Sequence, residues 1–181
     1  FYQYPELFDK VTQSTLNGFF HILVQSKYDL LDGLCRYPGV VDMITASTLN
    51  ATSFNDHEKS YSSIHDLFQS ESGLNFLINH PQIADQISAE GLATASVENT
   101  ELSGMSALHR LVESNMPEAS ILLDMNQEWV TEKLTDAALD QRCVHLPRKE
   151  QSLREYLSSK TGRVKCSGFA AGQILLHKVQ K

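Results

Sequence analysis

The sequence is short of several things, and each shortage narrows the reading. Cysteine occurs three times in 181 residues, as Cys35, Cys143 and Cys166. An odd number, widely spaced, argues against a disulfide framework and for reduced thiols in a cytosolic compartment. Glycine and proline are few, and nothing reads as a long disordered linker. No apolar run is long enough to span a bilayer. No Walker loop, dinucleotide fingerprint, His-Glu-x-x-His or Gly-x-Ser-x-Gly motif is present. Aromatic and basic residues are not interleaved as single-stranded nucleic acids require. What is left is an ordinary globular composition, 41% hydrophobic and 20% charged.

What the chain does have is a phrase repeated four times. The copies are VTQSTLN (Val11 to Asn17), ITASTLN (Ile44 to Asn50), ISAEGLA (Ile87 to Ala93) and LTDAALD (Leu134 to Asp140). Each is an aliphatic residue, then Thr or Ser, then three residues, then Leu. The anchors Leu16, Leu49, Leu92 and Leu139 are spaced by 33, 43 and 47 residues. Self-similarity at such a period predicts an all-α repeat solenoid.

Two further phrases run in phase. His21, His65 and His109 are 44 residues apart each time, in the contexts FFHILVQS, SIHDLFQS and ALHRLVES. Apolar residues at minus one, plus two and plus three predict a short amphipathic helix with one buried stripe. Leu30, Leu31 and Leu34, then Leu74, Leu77 and Ile78, then Ile121, Leu122 and Leu123 predict a second helix. Pro38 and Pro81 restart the chain, as Pro does in a first helical turn. Pro5 stands in the same relation to the first phrase. The predicted unit is two short helices, a turn, and a third helical piece ending in the Leu-anchored phrase.

The expected layout is a repeat region over 1–140, with a partial unit 1–17 and units 18–50, 51–93 and 94–140. Residues 141–181 read as a partial, basic fourth unit or the start of a flanking domain. In that stretch 151–159 align with 106–114, with Arg154 where His would be, and 172–180 resemble 120–127. The incomplete units at both ends imply a piece of a longer protein.

The string GMSALHRLVES resembles the ankyrin inner-helix pattern T-P-L-H-x-A, with Gly104, Ala107, Leu108 and His109 in register and Leu111 a looser match. LNGFFHIL has the Asn-Gly-x-x-x-His spacing of an ankyrin unit boundary, and the first interval is of ankyrin length. The longer copies resemble the irregular ankyrin-like repeats of effector proteins that intracellular bacterial pathogens inject into host cells. Thr-Pro and the Gly-Ala-Asp turn of ankyrin units are absent. Three helices in about 42 residues would also suit an armadillo/HEAT-like unit. The resemblance implies a solenoid that binds a host protein, and a chain secreted by the bacterium into the host cytosol.

Length varies at one place in the unit. From the anchor Leu to the next His is 5 residues at the first junction, 16 at the second and 17 at the third. Insertions on one face of a solenoid often mark the binding face. Phe54, His57, Tyr61, Glu98, Glu101 and Met105 in these loops are the candidate contacts, because aromatic and Met residues are enriched at interfaces. The competing reading is that the loops are solvated spacers, with Phe54 and Tyr61 packed back onto the core.

Charge divides along the chain. Residues 1–140 carry a net −14 and residues 141–181 a net +7. Such asymmetry suggests separate partners for the two ends or an internal electrostatic match. Arg142, Arg148 and Lys149 are the candidate contacts at the basic end, which alone could meet an anionic membrane surface. A solvated face is the plainer reading, since the charges are dispersed. The acidic 140 residues argue against nucleic acid.

The repeated histidines would form a ladder in a stack, not a catalytic cluster. By resemblance to ankyrin units they hydrogen-bond to backbone and tie adjacent loops. Cys143, His145, Cys166 and His177 are zinc-ligand types at spacings that match no compact finger. Trp129 reads as core. The function expected is therefore a protein–protein interaction module acting through loops and the inner-helix face. It has no catalytic residues, cofactor, metal or small-molecule substrate. A regulatory or substrate-recruiting repeat domain attached to a catalytic domain elsewhere is the alternative.

Overall fold

The computed structural model describes residues 11–26, 28–37, 39–54, 60–96, 104–143 and 151–180, and these are mostly helical. In chain order α1 is Gln13–Ser26, α2 Tyr28–Cys35, α3 Val40–Met43 and α4 Ala46–Asn50. Strands β1 (Thr52–Phe54) and β2 (Ser60–Ser62) come next, then α5 (Ser63–Gln69), α6 (Glu71–Asn79), α7 (Pro81–Ala84) and α8 (Ala89–Ala93). α9 (Ala107–Glu113) and α10 (Pro117–Met125) lead to a π-helical turn, Trp129–Lys133, and to α11 (Asp136–Asp140). The last elements are β3 (Arg142–Cys143), β4 (Gln151–Ser152), α12 (Leu153–Ser158), α13 (Lys160–Cys166) and α14 (Ala170–Lys178). Apart from α1, none of the described helices is longer than nine residues. Helices this short are unstable alone in water, so side-chain burial holds them.

The repeated phrase is a helix start. Thr45, Ser88 and Thr135 are the N-caps of α4, α8 and α11. The hydroxyls of Ser88 and Thr135 accept from the backbone N–H of Gly91 and Ala138 at 3.1 and 3.2 Å. The aliphatic residue before the cap and the Leu five positions later occupy the two ends of a hydrophobic staple. Ile44 and Leu49, Ile87 and Leu92, and Leu134 and Leu139 are all buried in one core. The sequence pattern predicts the phrase as the end of a third helical piece. The extended backbone of the cap residue instead separates it as a one-turn helix of its own.

At the first junction His21 comes only five positions after Leu16. The phrase helix and the His-bearing helix run together there as α1, which packs on α4 and on α5. The His-centred stripe is buried as its spacing predicts: Phe20, Leu23 and Val24; Ile64, Leu67 and Phe68; Leu108, Leu111 and Val112. The stripe of the second helix is shifted in α10, where Leu122 and Leu123 are buried and Ile121 is half exposed.

The contacts between elements recur. α1, α5 and α9 lie side by side, as do α2, α6, α10 and α14. α4 lies between α1 and α8, and each phrase helix packs on the His-position helix that follows it: α4 on α5, α8 on α9, α11 on α12. Trp129 is fully buried, with its ring 5.8 Å from that of Phe68. The buried pair Ile83 and Ala84 stands three residues before Ile87, whereas Trp129 and Val130 stand four before Leu134. The π-helical turn absorbs that additional residue, so both aliphatic residues stay buried.

Ser152 caps α12 by accepting from Glu155 N–H, as Ser106 caps α9 by accepting from His109 N–H. The buried stripe Leu153, Tyr156 and Leu157 stands at minus one, plus two and plus three from Arg154, the position the alignment gives it, while the cap lies one residue nearer because α12 has one residue fewer than α9. α14 packs against α10 and the π-helical turn, and its Lys178, like Lys133, donates to a backbone carbonyl.

Candidate interaction face

The enlarged junctions are built as antiparallel pairs at equivalent positions. β1 pairs with β2 with Thr52 opposite Ser62. Ala95 bridges Ser106. β3 pairs with β4 with Arg142 opposite Ser152. Each first partner lies three residues after an anchor Leu, and each second partner is the N-cap of the next helix. The buried Leu fixes where the chain leaves the core, and the cap Ser fixes where it returns. From sequence these stretches read only as loops. Isolated pairs of two or three residues lack the alternating pattern that marks a strand.

The candidate contacts fall in different places. Phe54 ends β1, and Tyr61 pairs with Ser53 within β2; their side chains lie outside the described part of the structure. His57, Glu98, Glu101, Arg148 and Lys149 lie outside the described residues. Met105 is 1% exposed, because it directly precedes the capped start of α9, and it lines a recess rather than the outer surface. Arg142 is exposed and pairs with Glu155 at 3.1 Å.

The histidines differ among themselves. His21 is half-buried, and the loss of water around it lowers its pKa. His65 is fully buried; its Nδ1 lies 2.9 Å from Ser62 Oγ and its Nε2 lies 3.3 Å from the Met105 carbonyl oxygen. His109, also buried, has Nε2 3.5 Å from Glu113 and its ring 6.0 Å from that of Tyr156. Leu16, Leu49, Leu92 and Leu139 are buried core.

Beside the second junction lies a cavity of about 320 Å³ between α5 and α9. Phe68, Met105 and Met116 form its apolar wall, and Arg110, Glu113 and Ser114 its polar side. Arg110 is 6% exposed. An apolar recess with a few polar groups has the lining of a site that takes a partner's side chain or a small ligand.

Several cations of the basic end are engaged within the chain. Arg154 reaches Asp140 at 2.6 Å and Asp136 at 2.9 Å, and these hydrogen bonds raise its pKa. Lys165 donates to the Ser114 carbonyl and to Asn115, and burial lowers its pKa. Lys178 donates to the carbonyls of Leu134 and Val130 at 2.7 and 3.0 Å. Lys133 makes the same bond one unit earlier, to Ile87 at 2.9 Å. Arg154 thus pairs with acidic residues of the preceding stretch, whereas Lys165 and Lys178 donate to neutral oxygens and Arg142 pairs with Glu155 of its own stretch.

Cys166 is buried, His177 is exposed, and His145 lies outside the described residues. Among the described residues, no group of three or more His, Cys, Asp or Glu is placed to hold a metal ion. Also among them, no helix is long and apolar enough to cross a membrane. Comparison with known proteins finds no matching family model, no matching curated protein and no matching solved structure.

Proposed function

We propose that this chain is a repeat solenoid of the ankyrin-like kind that serves as a protein–protein interaction module within a larger protein. One observation carries the reading: the antiparallel junctions at 52–62, 95–106 and 142–152 start and end at equivalent positions on successive helices. Elements fixed at the same place in each layer project in a row, and such rows make extended surfaces for a protein partner. The helices α5 and α9, with the recess between them, supply the inner face. The fourth unit comprises α12, α13 and α14. The basic end then serves cohesion, since Arg142, Arg154, Lys165 and Lys178 bond to the chain itself. The host-cell setting, with the chain as part of a translocated bacterial effector, rests on the sequence resemblance alone. No chemistry is assigned to the module.

The test is affinity capture from host-cell lysate with two baits, the native chain and one with residues 55–59 and 97–103 replaced by short Gly/Ser links. Equal far-ultraviolet circular dichroism checks that both fold. The expected result is a defined protein retained by the native bait and lost from the other. Retention of the same protein by both baits rejects the junctions as the contact surface. Absence of any specific capture by the native bait rejects the module reading.

A further inference from the structure

The recess beside the second junction lies where three helices start or end. Phe68 and Gln69 close α5, Met105 precedes the cap of α9, and Met116 is the N-cap of α10. Two methionines and a phenylalanine make one wall soft and apolar, so it adapts to the shape that it meets. The other side carries Arg110 and Glu113, three residues apart on one face of α9. Arg110 is buried. Glu113 is partly exposed, 3.5 Å from His109 Nε2. Among the described residues these two are the charged groups of the lining, and their charges cancel. Lys165 bonds the neighbouring Ser114 carbonyl without lining the recess.

Size and charge balance together define an occupant. The volume of about 320 Å³ is at the low end of ligand sites, about 300–1,000 Å³. That is room for one large side chain rather than a folded segment. A guanidinium has five N–H donors, so Arg110 can bond within the chain and still donate. A peptide group presents one acceptor and one donor without a charge, and so answers Arg110 and Glu113 together. A charged occupant would leave one charge unbalanced where water has been displaced, which is costly.

We propose that the recess anchors one large apolar residue of the partner, its side chain on the wall of Phe68, Met105 and Met116 and its uncharged peptide group between Arg110 and Glu113. The inference rests on the interaction-module reading and names the chemistry of the partner at that site.

The probe is N-acetyl-tryptophanamide, one apolar residue with neutral peptide groups at both ends, titrated into the full chain. N-acetyl-tryptophan and tryptophanamide carry the same ring with a negative and a positive charge. Methionine methyl resonances report the site, since Met105 and Met116 line it and Met43 and Met125 do not. The expected result is a saturable shift of the first two methyls alone by the neutral probe. Each charged analogue should bind about ten-fold more weakly, the lower end of a hydrogen bond to a charged group. Glu113→Gln keeps the shape and gives the lining a net positive charge, so the preference should pass to the carboxylate analogue. Arg110→Met should pass it to the cationic one; Glu113→Gln decides the matter if that variant does not fold. No saturable shift at Met105 and Met116, equal shifts at all four methyls, or a preference that Glu113→Gln leaves unchanged overturns the proposal. The titration uses no partner, so its failure leaves the lysate capture standing, and failure of the capture rejects the module reading whatever the probe does.

Discussion

The ammonium of Lys178 lies 2.7 Å from the carbonyl oxygen of Leu134, the residue that opens the fourth copy of the repeated phrase. Lys133 stands in the same relation to Ile87, which opens the third. Lys133 sits immediately before Leu134, the residue that Lys178 bonds. Each supplies a cation to carbonyls left open where a short helix ends. Lys178→Met and Lys133→Met keep the aliphatic stem and remove the donors. Each is expected to lower the free energy of unfolding by about 1 kcal/mol, the order of a single partly exposed hydrogen bond. Urea titration checks it, and an unchanged midpoint in both variants shows the bonds to be incidental.

The acid limb of stability has an identified contributor. His80 Nε2 lies 3.1 Å from one Asp32 oxygen, and Arg36 lies 2.8 Å from the other. These hydrogen bonds, that from His80 foremost, hold the Asp32 carboxyl below its ordinary value. A depressed carboxyl stabilises the fold above its unfolded pKa and loses that contribution as pH falls through the folded one. The native chain is therefore expected to be more stable than Asp32→Asn above about pH 4, the ordinary range of the group, and the two should converge below it. Thermal melts from the acid end to neutrality measure the difference; a constant gap down to the acid end rejects the assignment.

Three glycines separate close packing from open space. A Cβ at Gly162 would fall on the carbonyl of Tyr156, and one at Gly172 on that of Cys166. Both obstacles are backbone, so Gly162→Ala and Gly172→Ala should each destabilise by about 1–3 kcal/mol, the usual cost of overpacking. Gly18, inside α1, has nothing within 4 Å of the place a Cβ would take, so Gly18→Ala should stabilise by about 0.5–1 kcal/mol. The opposite signs in one set of denaturation curves are the check.

Two thiols are expected to be slow. Burial pushes the Cys35 thiol up to about 12 and that of Cys166 up to about 11, and the thiolate is the reactive form. At mildly alkaline pH both should react with a disulfide reagent only as the chain unfolds. Rapid modification of either, located by peptide mass analysis under native conditions, refutes the packing around it.

The phrase of aliphatic residue, Thr or Ser and Leu was legible because a stapled, capped helix start is a local arrangement with fixed spacing. The stripe around His65 and His109 was legible for the same reason. The hairpin junctions were not: Thr52 and Ser62 come together only through the anchors on either side of them. The lysine bonds were hidden as well, since nothing near Lys133 in sequence marks Ile87 as its acceptor. Met105 was misplaced by its neighbours, whose polarity says nothing of the residue that seals the start of α9. The place of Arg154 was legible from the stripe Leu153, Tyr156 and Leu157, whereas the bond of Glu155 to the cap Ser152 was not, because α12 starts one residue nearer that stripe than α9 does.

The π-helical turn gives a practical rule. A segment that takes up one additional residue within a single turn leaves the next cap and anchor where they were. Spacing between copies is thus a poor ruler for cutting this chain into parts, and the cap residues are a good one. Cassettes cut just ahead of Ile44, Ile87 and Leu134, the residues before those caps, would keep every staple whole, whatever the length between them.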